Sequence, residues 1–195
     1  MMFKVLFLMG FCATIILTED SRFYSLTAND IDTMNTVEMG DYRGKVLLIV
    51  NVASECGYTE NHYRELVDLQ RSYPKTDFQV LAFPCNQFGK QEPKNNKYVS
   101  KFAKDNYNVN FQLFGKIKTI GQYSHPIFKW IKKETDVEPN WNFNKFLVDK
   151  TGKIQRYAAS QVSPLQMSAD IQNLIANRPL QGGLHSYATH SRDEL

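Results

Sequence analysis

Apolar residues fall along this chain in short blocks, and their spacing changes character from one block to the next. Val46-Leu47-Leu48-Ile49-Val50-Asn51-Val52 is an almost unbroken β-branched and aliphatic run, the pattern of a strand covered on both faces. Over residues 60–73, Tyr63, Leu66, Val67 and Leu69 recur near helical spacing with charges between them, and Pro74 closes the segment. Residues 78–83 read as a second buried strand, and 96–107 as a helix with Val99, Phe102 and Ala103 on one face. A further helix is expected after Pro126, carrying Ile127, Phe128 and Ile131. Residues 145–148 and 153–157, joined by the turn Asp149-Lys150-Thr151-Gly152, have the pattern of a hairpin. The last helix starts near Ser163 as N-cap with Pro164 in its first turn, and directs Ile171, Leu174 and Ile175 to the core. Ahead of all these, residues 23–26 and 36–39 read as short strands.

The order β-α-β-α followed by a β-hairpin and a helix is a thioredoxin-like α/β layout. It implies a central mixed sheet flanked by helices, with a short N-terminal hairpin. No repeat, charge block or Pro/Ser linker interrupts residues 23–177, so one domain over 19–180 is expected. At 195 residues, 43% apolar and 22% charged, the chain is of ordinary globular composition. With 23 basic and 20 acidic residues, its net charge of +3 is too balanced to argue for nucleic acid as a partner.

The two ends carry an address. Lys4 precedes the apolar run Val5 to Leu17, and Thr18-Glu19-Asp20 ends it abruptly. One early cation, a short apolar stretch and a polar boundary describe a secretory signal peptide over residues 1–18; the run falls short of the roughly 20 residues a spanning helix needs, so no stable membrane insertion is expected. Residues 181–195 read as a flexible tail ending in Arg192-Asp193-Glu194-Leu195, one Lys-to-Arg change from the retrieval signal of the endoplasmic reticulum. The combined expectation is a lumenal protein. Loss of the signal would remove Cys12 and leave two thiols, Cys56 and Cys85, too few for a disulfide scaffold.

The chemistry gathers where strands end. Cys56 lies in Ser54-Glu55-Cys56-Gly57, between a buried strand and a helix, where open α/β sheets form their sites and where helix N–H groups suit an anionic sulfur. Gln87 lies in Phe83-Pro84-Cys85-Asn86-Gln87, beyond the next parallel strand, which a right-handed crossover brings to the same edge. Trp141 and Asn142 precede the first hairpin strand; if that strand is antiparallel, they start at this edge too. Taken singly, Gln87 is a turn residue, Trp141 a core aromatic and Asn142 a strand-start cap. Together they are hydrogen-bond donors around a thiol, suited to the charge that develops as a peroxide O–O bond breaks. His62, His125, His185 and His190 are not placed as a base for a Cys-His hydrolase; no Cys-x-x-Cys serves disulfide exchange; and no ligand spacing suits zinc.

These motifs, Asn51-Val-Ala-Ser-Glu-Cys-Gly57, Leu81-Ala-Phe-Pro-Cys-Asn-Gln-Phe-Gly89 with Gln91-Glu-Pro93, and Trp141-Asn-Phe143 with Lys145-Phe146, resemble the glutathione peroxidase family over about residues 23–177. The resemblance implies a thioredoxin-like fold and a catalytic tetrad of Cys56 (peroxidatic), Gln87, Trp141 and Asn142. It implies reduction of hydrogen peroxide and organic or lipid hydroperoxides without a cofactor. It also implies a thiol reductant, either glutathione or a dithiol of the protein disulfide isomerase type. Cysteine at position 56, where several members carry selenocysteine, and the two termini look most like the lumenal cysteine-only members. In those members the counterpart of Cys85 is a proposed resolving thiol, although many others share it as a structural residue. Asn144 departs from the aromatic usual there. The short span from His125 to Trp141 looks like the monomeric members. A peroxide sensor or redox binding partner with little turnover is the other reading, because it uses the same first step.

Overall fold

The computed structural model describes residues 22–187. In chain order these form β1 (Thr27–Asn29), β2 (Thr36–Glu38), β3 (Val46–Val52), α1 (Thr59–Ser72), β4 (Phe78–Pro84) and α2 (Asn96–Tyr107). There follow β5 (Gln112–Leu113), α3 (Pro126–Thr135), β6 (Lys145–Val148), β7 (Ile154–Ala158) and α4 (Ser168–Ile175). β1 and β2 pair as the N-terminal hairpin, and the other strands make one mixed sheet in the order β5-β4-β3-β6-β7. β3 is parallel to β4 and antiparallel to β6.

Alternation along the strands builds a core on each face of the sheet. Val46, Leu48, Val50 and Val52 of β3 join Tyr63, Leu66 and Leu69 of α1, Val99 of α2 and Ile171 of α4. Leu47 and Ile49 point the other way, to Phe128 and Ile131 of α3 and to Phe23 and Met39. Every residue of β3 is buried, as its unbroken apolar run requires. The α/β layout with a mixed sheet and flanking helices is therefore the observed fold.

The chain departs from its local pattern in a few places. Residues 23–26 are not a strand: Arg22–Ser25 is a 3-10 turn, closed by Leu26 N–H to Phe23 O at 3.0 Å, and it drops Phe23 onto Trp130 of α3. Two adjacent apolar residues satisfy a turn folded over a core as well as they satisfy a strand. β2 stops at Glu38 because Met39–Tyr42 is another 3-10 turn. The last helix opens with a 3-10 turn, Pro164–Met167, before α4, with the Ser163 N–H donating to Gln166 Oε1 at 2.7 Å. Residues 181–187 do not hang free. The buried Arg156 guanidinium donates to the carbonyls of Gln181, Gly182 and Gly183, Tyr157 N–H donates to Leu184 O at 2.8 Å, and the Tyr187 hydroxyl donates to Asp170. This segment covers part of β7, an otherwise open sheet edge. The signal-peptide reading and the terminal tetrapeptide lie outside the described residues.

Candidate active site

Strand direction sets the site. Because β3 and β4 are parallel and in register from Val46↔Phe78 to Val52↔Pro84, the loops carrying Cys56 and Gln87 leave the same edge. β6 runs antiparallel with Val50 opposite Lys145, so Trp141 and Asn142 arrive at that edge as well. The structure thus brings the three sequence segments together.

Each segment is fixed by polar side chains. The Cys56 N–H donates to Thr59 Oγ1 at 3.1 Å, and that hydroxyl donates to Ala53 O at 2.7 Å, so the first residue of α1 pins the turn holding the thiol. Cys56 is largely buried, with 9% of its surface exposed, while Glu55, Gly57 and Tyr58 around it are exposed. The cysteine loop is tied to the loop after β4: Glu55 N–H donates to Gln91 O at 3.0 Å, and the Ser54 hydroxyl donates to Glu92 Oε1 at 2.7 Å. Burial pushes the Glu92 carboxyl up to about 7, against the Ser54 hydrogen bond and the Lys116 charge.

The Gln87 carboxamide is held by the backbone of residues 119–120. Its Oε1 accepts from Thr119 N–H at 2.6 Å and Ile120 N–H at 3.0 Å, and its Nε2 donates to Ile120 O at 3.1 Å. Both amide donors need an oxygen, so the orientation of the carboxamide is set. Cys85 is fully buried beneath it, with Sγ 3.5 Å from Gln87 Oε1 and 3.4 Å from Thr119 Oγ1.

Trp141 is 39% exposed, the highest among the gathered aromatic groups of this edge, and its ring lies beside Phe88 and Gly89. Asn142 is fully buried and donates to Gln91 Oε1 at 2.8 Å and to Phe88 O at 3.4 Å. The next residue, Phe143, adopts the left-handed backbone (φ 61°), uncommon for an aromatic and costly unless its surroundings enforce it. Here Asn51 O accepts its N–H at 2.6 Å, and the buried Lys145 ammonium donates to its carbonyl at 2.6 Å and to Ala159 O at 3.1 Å. Burial pulls Lys145 down to about 7, opposed by Glu65. Nearby His62, whose ring packs 5.0 Å from Phe143, is pulled to about 3 by burial and the Lys145 charge, and so stays neutral. Its ring packs between Tyr58 and Phe143.

An amide pair locks the strand ends. Asn51 Nδ2 donates to Trp141 O at 2.9 Å, and its Oδ1 accepts Asn144 N–H at 3.0 Å. Asn144 Nδ2 donates to Trp141 O and to Ser160 Oγ, while its Oδ1 accepts the Tyr157 hydroxyl at 2.6 Å. Ser160 in turn donates to Asn142 O at 2.6 Å. Sequence reasoning missed Asn51, Ser160, Lys145, His62 and Glu92 as supports. Asn51 did leave a signal, a carboxamide inside an otherwise aliphatic strand. Among the described residues no group of three or more His, Cys, Asp or Glu gathers as a metal site, and no helix is long and apolar enough to cross a membrane.

Comparison with known proteins accords with this geometry. The family profile described as glutathione peroxidase matches residues 23–132. Human glutathione peroxidase 7 is 44% identical over 162 residues, covering 80% of this chain and 86% of its own. Probable glutathione peroxidase 8-B of Xenopus laevis is 38% identical over 180 residues, covering 89% and 86%. The apo crystal structure of Trgpx superposes with a TM-score of 0.64 at 35% identity, over 81% of this chain and 97% of its own. A thioredoxin-like superfamily protein, SPOA0173, superposes with a TM-score of 0.59 over 78% and 96%; at 17% identity it speaks to the fold alone. A profile over more than half the chain, relatives of this identity and a cysteine loop hydrogen-bonded to the loop after β4 lead to one conclusion: the chain belongs to the glutathione peroxidase family and is a peroxidase oxidoreductase.

Proposed function

We propose that the chain reduces hydrogen peroxide and organic or lipid hydroperoxides through Cys56, with Gln87, Trp141 and Asn142 completing the catalytic group and an external thiol resolving the product. The observation that carries this reading is the single sheet edge at which the Cys56 loop is hydrogen-bonded to the segment that also holds Asn142 and seats Trp141. Cys56 sulfur attacks the terminal oxygen of the hydroperoxide. The S–O bond forms, the O–O bond breaks, and the departing oxygen takes a proton to leave as water or alcohol. The sulfenic acid condenses with an incoming thiol to a mixed disulfide and water, and a second thiol releases Cys56 with formation of a disulfide in the reductant. The Gln87 carboxamide N–H and the indole of Trp141 are donors suited to the anionic oxygen leaving in the first step.

Full burial of Cys85 argues against it as the immediate resolving thiol, since an external thiol can reach the 9%-exposed Cys56 without unpacking the Gln87–Thr119 contact. The reductant is then glutathione or a dithiol of the disulfide isomerase type. The proposed compartment is the lumen of the endoplasmic reticulum, on the apolar run at 5–17 and the Arg192–Leu195 tetrapeptide. There the reaction would drive disulfide formation, and the protein would act as a monomer. Stopped-flow oxidation by hydrogen peroxide, followed by turnover with glutathione, thioredoxin or disulfide isomerase, tests the reading. Cys56→Ser should abolish the first step, and near-normal turnover in that variant would sink it. Stoichiometric oxidation with no cycling by any reductant would favour the sensor alternative.

A further inference from the structure

We infer that Gln91, a residue of the Gln91-Glu92-Pro93 motif with no role in the chemistry above, is a positioning residue that dictates which atom of Asn142 is offered to the reacting groups. The inference rests on the proposed place of Asn142 in the site and adds to it.

Phe88 O can only accept, so the Asn142 atom facing it at 3.4 Å is the nitrogen. With Nδ2 on that side, its neighbour at 2.8 Å must be the Gln91 oxygen rather than the Gln91 nitrogen. Both hydrogens of the Asn142 amide then have acceptors inside the protein, and the shorter contact, to Gln91, does the orienting. The atom left over is Oδ1, which is buried and has no protein partner. A buried acceptor without a partner is uncommon in a folded chain and marks a place where something else completes the bond. Asn142 therefore presents an acceptor, whereas its place among the strand-end motifs suggested a donor. An acceptor fits the O–H of an incoming hydroperoxide and leaves the donor work to Gln87 and Trp141.

Gln91 is suited to this because it touches all three parts of the site. Its carbonyl accepts Glu55 N–H at 3.0 Å, next to Cys56, and its own N–H donates to Phe88 O at 3.3 Å. Its Cγ and Cδ lie 3.3 Å from where a Cβ would stand on Gly89, the spot that Trp141 Cη2 also approaches at 3.2 Å. The backbone contacts hold Gln91 in place whatever its side chain, so the carboxamide can be changed while the loop stays.

The test compares Gln91→Met, which keeps the length and loses the acceptor, with Gln91→Glu, which keeps an acceptor oxygen. Gln91→Ala is measured alongside in case the thioether perturbs packing. The readout is the rate constant for oxidation of Cys56 by hydrogen peroxide in stopped flow, with the thermal midpoint and the rate of re-reduction by a dithiol as controls. Loss of one orienting hydrogen bond should slow oxidation about tenfold in Gln91→Met and Gln91→Ala. Gln91→Glu should recover most of that, and the re-reduction rate should not change. On an Asn142→Ala background, Gln91→Met should cause no further loss, because its effect passes through Asn142. Wild-type oxidation rates in Gln91→Met and Gln91→Ala, or an additive loss on the Asn142→Ala background, would overturn the assignment. If Asn142→Ala is itself oxidised at the wild-type rate, the place of Asn142 in the site fails and the role of Gln91 falls with it. If Asn142→Ala is slow and Gln91→Met is not, only the Gln91 inference fails.

Discussion

Glu92 is a carboxyl that the fold holds against its own charge, and its replacement by glutamine should make stability less sensitive to pH. The side chain is fully buried; Oε1 accepts the Ser54 hydroxyl at 2.7 Å, while Oε2 has no protein partner. Burial raises its pKa from 4.5 to about 7. In the folded chain the proton is thus retained at pH values where the unfolded chain has already released it, so stability falls as pH rises. Below about pH 4.5 both states are protonated and the group costs nothing. Between 4.5 and 7 the cost grows, and above 7 it is complete. At about 1.4 kcal/mol per pKa unit, the full cost is about 3 kcal/mol. Glu92→Gln keeps an oxygen for Ser54 and removes the titration, while its buried NH2 group adds a pH-independent penalty of about 1–2 kcal/mol. The slope, not the offset, is the test. Urea unfolding of both proteins from pH 4.5 to 8 should show the difference moving by about 3 kcal/mol in favour of the variant, or roughly 6–12 °C in thermal midpoint for a chain of this size. His62 and Lys145 titrate alike in both proteins and cancel in the difference. A difference that stays flat over this range would refute the argument from burial.

Gly89→Ala should destabilise by about 1–2 kcal/mol, because position 89 is left-handed (φ 60°) and a Cβ would press on Trp141 and Gln91 at 3.2–3.3 Å. The same change should shift Trp141 fluorescence and slow oxidation of Cys56; an unaltered emission spectrum would mean the ring does not rest there. Asn144→Leu removes the acceptor of the Tyr157 hydroxyl and a donor to Ser160 and Trp141 O, so a loss of about 2–4 kcal/mol is expected in urea unfolding. Arg156→Leu leaves the Asp170 carboxylate without its guanidinium and frees the carbonyls of residues 181–183. A loss of about 3–5 kcal/mol is expected, with new protease cleavage after Leu180; wild-type resistance to protease would show that other contacts hold the segment.

The elements that could be read from the chain are those whose faces are set by neighbours in sequence. The run at 46–52 became the fully buried β3, the spacing of Tyr63, Leu66, Val67 and Leu69 became the inner face of α1, and Asp149–Gly152 became the hairpin turn. Where the local pattern is short, it misled: Phe23 and Tyr24 fit a turn under α3 as well as a strand, and the two-residue β5 has no pattern at all. The segments that meet at one sheet edge were legible as motifs at strand ends, because strand direction carries such loops to one edge whatever the details.

What the sequence determined by itself is the fold class, the thiol and the segments that meet it, since periodicity and topology follow from local sterics and from burial of apolar faces. What only the tertiary structure decided is where the polar groups point. Residue type names Gln87 and Asn142 as carboxamides, each both donor and acceptor. The backbone of residues 119–120 and the pair Phe88 and Gln91, distant in sequence from the groups they orient, choose the atom each presents. The same holds for Lys145, Glu92 and His62, whose charges are set by burial and by neighbours that come close only in the folded chain.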